Sequence, residues 1–179
     1  MLIAPAFLGC VSVGGTVATP TALENQMLGV YEDLDDDLVY ASSVRSNNTI
    51  PFSVENARSE ALAARSLQLF NRDELDEFKA AGCIAETLSA ILIPYKCTAE
   101  QDPTDNFEER RARIIRDENR ARERLMQWAA FLIARKKGRN IIDPEKIIEL
   151  RKTYYRMLRE GADKGHIFEQ ADGRFESAN

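Results

Sequence analysis

Apolar residues recur three and four positions apart through most of the chain, and two short stretches break that rhythm. Leu23, Met27, Val30, Leu34, Leu38 and Ala41 share one stripe, which predicts a first helix over 21–45, opened at Pro20 or Thr21. An alanine-rich second helix is expected from about Ser53 to Phe70. Leu62, Leu69 and Phe70 are its inward residues, and Ala57 and Ala61 permit close approach. Asn71, with Glu74 three residues on, reads as a capping box. It would start a short helix, Arg72 to Ala80, with Leu75 and Phe78 inward and Gly82 as its stop. The longest helix is expected from Asn106 to about Lys137, with Ile114, Ala121, Leu125, Trp128 and Leu132 as its core stripe and Gly138 at its end. Asp143-Pro144 supplies a cap and a proline at the first helical position of a last helix. Its apolar face is Ile147, Ile148, Leu150, Tyr154, Met157 and Leu158, and it stops at Gly161 and Gly165.

The rhythm changes at CIAETLSAILIPY, residues 83–95, which is short, aliphatic and bounded by Gly82 and Pro94. It predicts a β-hairpin of Cys83 to Glu86 and Ala90 to Ile93, turning near Leu88. HIFEQADGRFES, residues 166–177, reads as a second hairpin around an Asp172-Gly173 turn. The expected fold is therefore α+β and mostly α. Several helices, one of them long, pack with a small antiparallel sheet made from the central and C-terminal hairpins.

The chain has 179 residues, 44% of them hydrophobic and 30% charged, with 24 Lys and Arg against 29 Asp and Glu. That is one ordinary domain with loose ends. The net charge of −5 argues against a surface built to cover nucleic acid. The charge is unevenly placed. Residues 21–45 carry six acids and one arginine, whereas 104–139 carry eleven Lys and Arg against six Asp and Glu. The acidic run DLDDD at residues 33–37 lacks the glycine and closing glutamate of a calcium loop, and its leucines keep helical phase. Arg113, Arg116, Arg120 and Arg124 form a ladder on one side of the long helix. Solvation, or docking on the acidic first helix, would leave this ladder without a further role. Otherwise it is a surface for an acidic envelope protein or anionic lipid. Nucleic acid is not the expected partner.

Met1 to Gly9 (MLIAPAFLG) carry no charged side chain and precede Cys10. A short apolar run ending in a small residue before a cysteine is the pattern of a bacterial lipoprotein signal, with Cys10 as the lipid-bearing thiol. Phe7 stands where a smaller aliphatic residue is usual, and the basic n-region is missing. The competing reading is a buried N-terminal segment that happens to contain a cysteine. Residues 10–20 then form a small-residue tether, 21–52 the acidic helix and a loop, and 53–179 the main domain. Val11, not aspartate, follows Cys10, which favours the outer membrane facing the periplasm over the inner one; a soluble periplasmic form is the alternative. In that oxidising compartment Cys83 and Cys97 are expected to pair, closing a loop with 13 residues between them.

Three further segments agree in order and spacing with a known pattern. NRDELDEFKAAGCIAET (71–87), DENRARERLMQWAA (117–130) and GADKGHIFEQADGRFES (161–177) together resemble the YdbL-like family of bacterial envelope proteins. This sequence has Ala85 where the family usually has glycine, and Phe168 and Phe175 where tryptophan is usual. The resemblance covers roughly residues 60–177. It implies an exported envelope accessory, some relatives accompanying AsmA-like proteins thought to carry lipid between membranes.

Residue chemistry adds little towards catalysis. No nucleophile elbow or phosphate loop occurs. The lone His166 reads as a strand-edge residue, and too few Cys and His exist for a zinc site. Glu86 and Glu118 are carboxylates that could meet in a cleft, although a helix-surface bridge is the simpler fate of Glu118. Asn119 lies near the core stripe and is expected to bond a hairpin backbone group. No catalytic residue, metal or cofactor is assigned. The expected role is a non-enzymatic accessory or interaction protein, with an envelope enzyme acting on cell wall or lipid as the alternative.

Overall fold

The computed structural model describes residues 20–43, 54–97, 106–139 and 141–178. Cys10, the expected tether and residues 44–53 lie outside them. Among the described residues there are five helices and a four-stranded sheet: α1 Ala22–Ser43, α2 Val54–Phe70, α3 Arg72–Ala80, β1 Ile84–Glu86, β2 Leu92–Pro94, α4 Phe107–Lys136, α5 Pro144–Glu160, β3 Ile167–Glu169 and β4 Phe175–Ser177. The fold is α+β and mostly α, as the periodicity requires.

Each helix starts for a readable reason, though one reason differs from expectation. At α1, the Thr21 amide donates to Glu24 Oε2 (2.5 Å) and the Glu24 amide to Thr21 Oγ1 (3.3 Å), a reciprocal capping box. At α5, Asp143 accepts from the Glu145 amide and Pro144 occupies the first turn. The box expected at Asn71 does not form. Asn71 is itself helical (φ −87°, ψ −1°), so α2 runs almost straight into α3 and the Asn71 side chain makes no cap. Glu74 instead takes Arg110 (2.8 Å) and Arg113 (2.6 Å) of α4.

Helices α1, α2, α4 and α5 share the main core. Met27, Leu34, Ala61, Ala64, Leu125, Ala129 and Leu150 are all nearly inaccessible there. Alanines on both α2 and α4 let those two backbones approach closely. That is also why Leu69 and Phe70 do not face inward. Phe70 is 82% exposed and Leu69 41%, because the inward stripe of α2 is Ala61, Ala64 and Gln68, off their phase. Ile148 on α5 is likewise exposed. Burial on α5 falls on Leu150, Thr153 and Tyr155.

A second core lies between α3, the β1–β2 hairpin and the first half of α4, built on Phe78, Cys83, Ile84, Leu92 and Ile114. The hairpin sits about one residue later than its pattern suggests. Ala85 opposes Ile93, and residues 87–91 make the turn. Ala90 there adopts φ +58°, the left-handed region that alanine enters at a cost of roughly 1–2 kcal/mol. The chain does continue back past Pro94. The Tyr95 amide bonds the Cys83 carbonyl (2.9 Å), and Cys83 and Cys97 are joined by a disulfide with α-carbons 4.1 Å apart.

The sheet order is β2-β1-β3-β4. Both hairpins are antiparallel, but β1 meets β3 in parallel, Ala85 opposite Ile167 and Glu86 opposite Phe168. The sheet is therefore mixed rather than antiparallel. A parallel pairing needs a long crossover, and here β2, α4 and α5 supply it. Pro94, which cannot donate to a ladder, sits on edge strand β2.

Candidate functional site

The most unusual chemistry lies where α4 crosses the hairpin. Glu118 and Arg122 are one turn apart on α4, in phase with Ala121 and Leu125, so both point into the interior. The Arg122 side chain is 4% exposed and those of Glu86 and Glu118 are 2% and 4% exposed. Arg122 grips Glu86 with both terminal nitrogens (2.6 and 2.8 Å). Its Nε donates to Glu118 Oε1 (2.7 Å), and Nη1 also reaches the Ala90 carbonyl (3.1 Å). Lys79 Nζ of α3 adds a contact to Glu86 (2.9 Å), and Gln68 of α2 donates to Glu118 (2.9 Å). The group thus ties α2, α3, β1, the hairpin turn and α4 together.

Among the described residues, Glu118 Oε2 and the Tyr31 hydroxyl are buried here without a hydrogen-bond partner, as is Asn71 Nδ2 at the α2–α3 junction. The Tyr31 ring lies parallel to Tyr154 with centroids 6.2 Å apart, and Arg122 lies 5.3 Å from the Tyr154 centroid. Burial, with the neighbouring tyrosine and Glu118 adding to it, raises the Tyr31 hydroxyl well above the ordinary tyrosine value. Burial alone would also raise Glu86. Arg122 and Lys79 outweigh it and hold Glu86 at about 2, against an ordinary 4.5. Glu86 is therefore a fixed anion, unsuited to exchanging protons near neutral pH.

Beside this network α2, α3, α4 and α5 enclose a cleft of about 230 Å³. Asn119, adjacent on α4, meets the hairpin as expected. Its amide accepts from the Leu92 N–H (2.8 Å) and donates to the Leu92 carbonyl (2.9 Å), clamping edge strand β2 to the helix.

The arginine ladder divides into two pairs. Arg113 is paired with Glu74 and Arg124 with Glu60 (3.1 Å). Arg116 and Arg120 are exposed and make no ion pair among the described residues. The acidic first helix does not cover them. Its Asp37 binds Arg58, its Asp35 binds Arg65 (2.6 Å), and its Glu24 binds Arg156 (2.7 Å). Three α1 acids are thus matched on α2 and α5, and none of these pairs involves Arg116 or Arg120 of α4.

His166 precedes β3 and joins the C-terminal hairpin through its backbone, accepting from the Ala178 amide (2.7 Å). Burial, helped by Lys79, lowers its pKa. Glu86 and Glu118 do share one site, but as the two acceptors of a single guanidinium. The residue that joins them, Arg122, was missed by the sequence reading, although a charge in phase with the core stripe is a signal that could have found it. Among the described residues no three His, Cys, Asp or Glu side chains are grouped to hold a metal ion, and no helix is long and apolar enough to cross a membrane. No protein-family model, curated protein or solved structure matches this chain.

A buried anion held near pKa 2 makes stability depend on pH with a defined sign. The Glu86 contribution is complete above its ordinary value of 4.5 and is lost as pH falls towards 2. Urea unfolding followed across that window should show the natural protein losing stability more steeply than Glu86→Gln. Parallel pH slopes would show that Glu86 is not held as an anion by Arg122 and Lys79.

Proposed function

We propose that the protein is an envelope lipoprotein, attached through Cys10 to the periplasmic side of the outer membrane, that works as a non-enzymatic accessory. On this reading it is a YdbL-like protein whose partner is an acidic envelope protein or anionic lipid, and it assists an AsmA-like lipid-transfer system. The observation that carries the binding role is the uncovered arginine pair, Arg116 and Arg120, on a helix face that the acidic α1 leaves alone. Exposed charges of one sign steer an oppositely charged partner, an effect that salt weakens over a Debye length of about 10 Å at 0.1 M. Export is supported by the Cys83–Cys97 disulfide, a bond that persists in oxidising compartments. Binding rather than turnover is favoured by the core network, in which Glu86 is held by both Arg122 and Lys79 and Glu118 bonds Arg122 through Oε1.

The anchor is checked by intact mass of protein extracted from membranes. The expected species begins at an acylated Cys10 and retains the Cys83–Cys97 bond. An unacylated chain that retains Met1 in the soluble fraction, expressed from the natural gene, contradicts it. The binding face is checked by Arg116→Glu with Arg120→Glu. Because both residues are exposed, stability should stay within about 0.5 kcal/mol. Capture of anionic vesicles or of a crosslinked envelope partner should fall several-fold, most at low salt. Equal capture by the reversed protein removes this face from the function.

A further inference from the structure

The cleft beside the Arg122 network has walls of both charge signs. Arg65, Arg72, Lys79 and Arg122 line it, and so do Asp76 and Glu118. Its volume of about 230 Å³ is several times the roughly 30 Å³ share of one water, yet below the roughly 300 Å³ at which sites for drug-sized ligands begin. The occupant it fits is therefore small.

Existing contacts decide which wall groups remain for a ligand. Arg65 is held bidentately by Asp35, and every guanidinium nitrogen of Arg122 already donates. Lys79 spends one ammonium contact on Glu86 and has further donors. Arg72 is exposed at the cleft mouth and makes no ion pair among the described residues. On the acidic side, Asp76 is exposed with no ion pair among them, and Glu118 keeps Oε2 buried without a partner. A buried carboxylate oxygen without a donor is an unusual state in a folded protein.

The remaining capacity is thus balanced, two cationic groups against two acidic ones. A polyanion would meet Asp76 and Glu118, and a simple cation would meet Arg72 and Lys79. We propose that this cleft binds a small zwitterion, its anionic group on Arg72 and Lys79 and its ammonium group on Asp76 and Glu118. Phosphoethanolamine, which occurs both free and as a lipid headgroup, is the simplest probe carrying both groups. The site is separate from the Arg116–Arg120 face and does not depend on it.

Calorimetry on the full-length protein at low salt, with O-phosphoethanolamine, glycerol 3-phosphate and ethanolamine, tests the assignment. Phosphoethanolamine should bind about tenfold or more tighter than either compound that carries only one of its charges, since each lost charged hydrogen bond is worth about that factor. Arg72 and Asp76 are exposed, so their variants should fold normally. Arg72→Ala should lose about tenfold in affinity. Asp76→Asn should bring phosphoethanolamine and glycerol 3-phosphate to similar affinities. Arg116→Glu with Arg120→Glu should leave all three values unchanged, so failure here is distinct from failure of the partner-binding face. Phosphatidylethanolamine vesicles, compared with phosphatidylcholine ones, distinguish a headgroup ligand from a free one. The proposal is overturned by no binding of phosphoethanolamine, by equal or tighter binding of glycerol 3-phosphate to the natural protein, or by unchanged affinities in both rim variants.

Discussion

A guanidinium that water cannot reach has to be fully paired, and the way Arg122 meets that demand fixes much of this structure. Its partners come from separate parts of the chain: Glu86 on β1, the Ala90 carbonyl in the hairpin turn, and Glu118 on its own helix. Lys79 and Gln68 extend the group to α3 and α2. Burying charges is costly, so such a cluster adds less net stability than its many bonds imply. Its consequence is specificity. A shifted hairpin register would leave Arg122 facing a missing carboxylate. The left-handed Ala90, unfavourable by itself, sits where its carbonyl can serve the same guanidinium.

The same economy governs the surface. Acids on α1 meet individual arginines on α2 and α5, and two arginines of the ladder on the long helix stay uncovered. Small residues where α2 meets α4 let these backbones close up and bring Gln68 within reach of Glu118. The cleft arises beside that contact, where α3 and α5 complete its walls. Binding surface, cleft and core are therefore products of one arrangement of α2 and α4.

Much of the fold was legible because helical phase was strong. Met27, Leu34, Leu125 and Leu150 all lie where their spacing places them, as does the Asn119 contact to the hairpin. Size misled the reading of α2. Leu69 and Phe70 are large, but the buried stripe is made of alanines, and packing distance to α4 decided the matter. The Asn71 box failed because an αR backbone carries α2 into α3. Thr21 and Glu24 had the required spacing and form such a box instead. The parallel union of the two hairpins depends on how α4 and α5 cross, which no local pattern encodes. For the site, Glu118 and Arg122 carried a usable signal, charges one turn apart inside an apolar stripe. Their third partner, Glu86, is distant in sequence; its meeting with Glu118 could be anticipated, but not the guanidinium that joins them.

The measurement closest to the heart of this account is a double-mutant cycle between Arg122→Met and Glu86→Gln, read by urea unfolding at neutral pH. Each single change strands a buried charge and should cost about 3–5 kcal/mol. Together they should cost clearly less than the sum, with a coupling of about 2–3 kcal/mol. Additivity within about 0.5 kcal/mol would show that the two residues act independently, and Arg122 could not then be the constraint that sets the hairpin against the long helix.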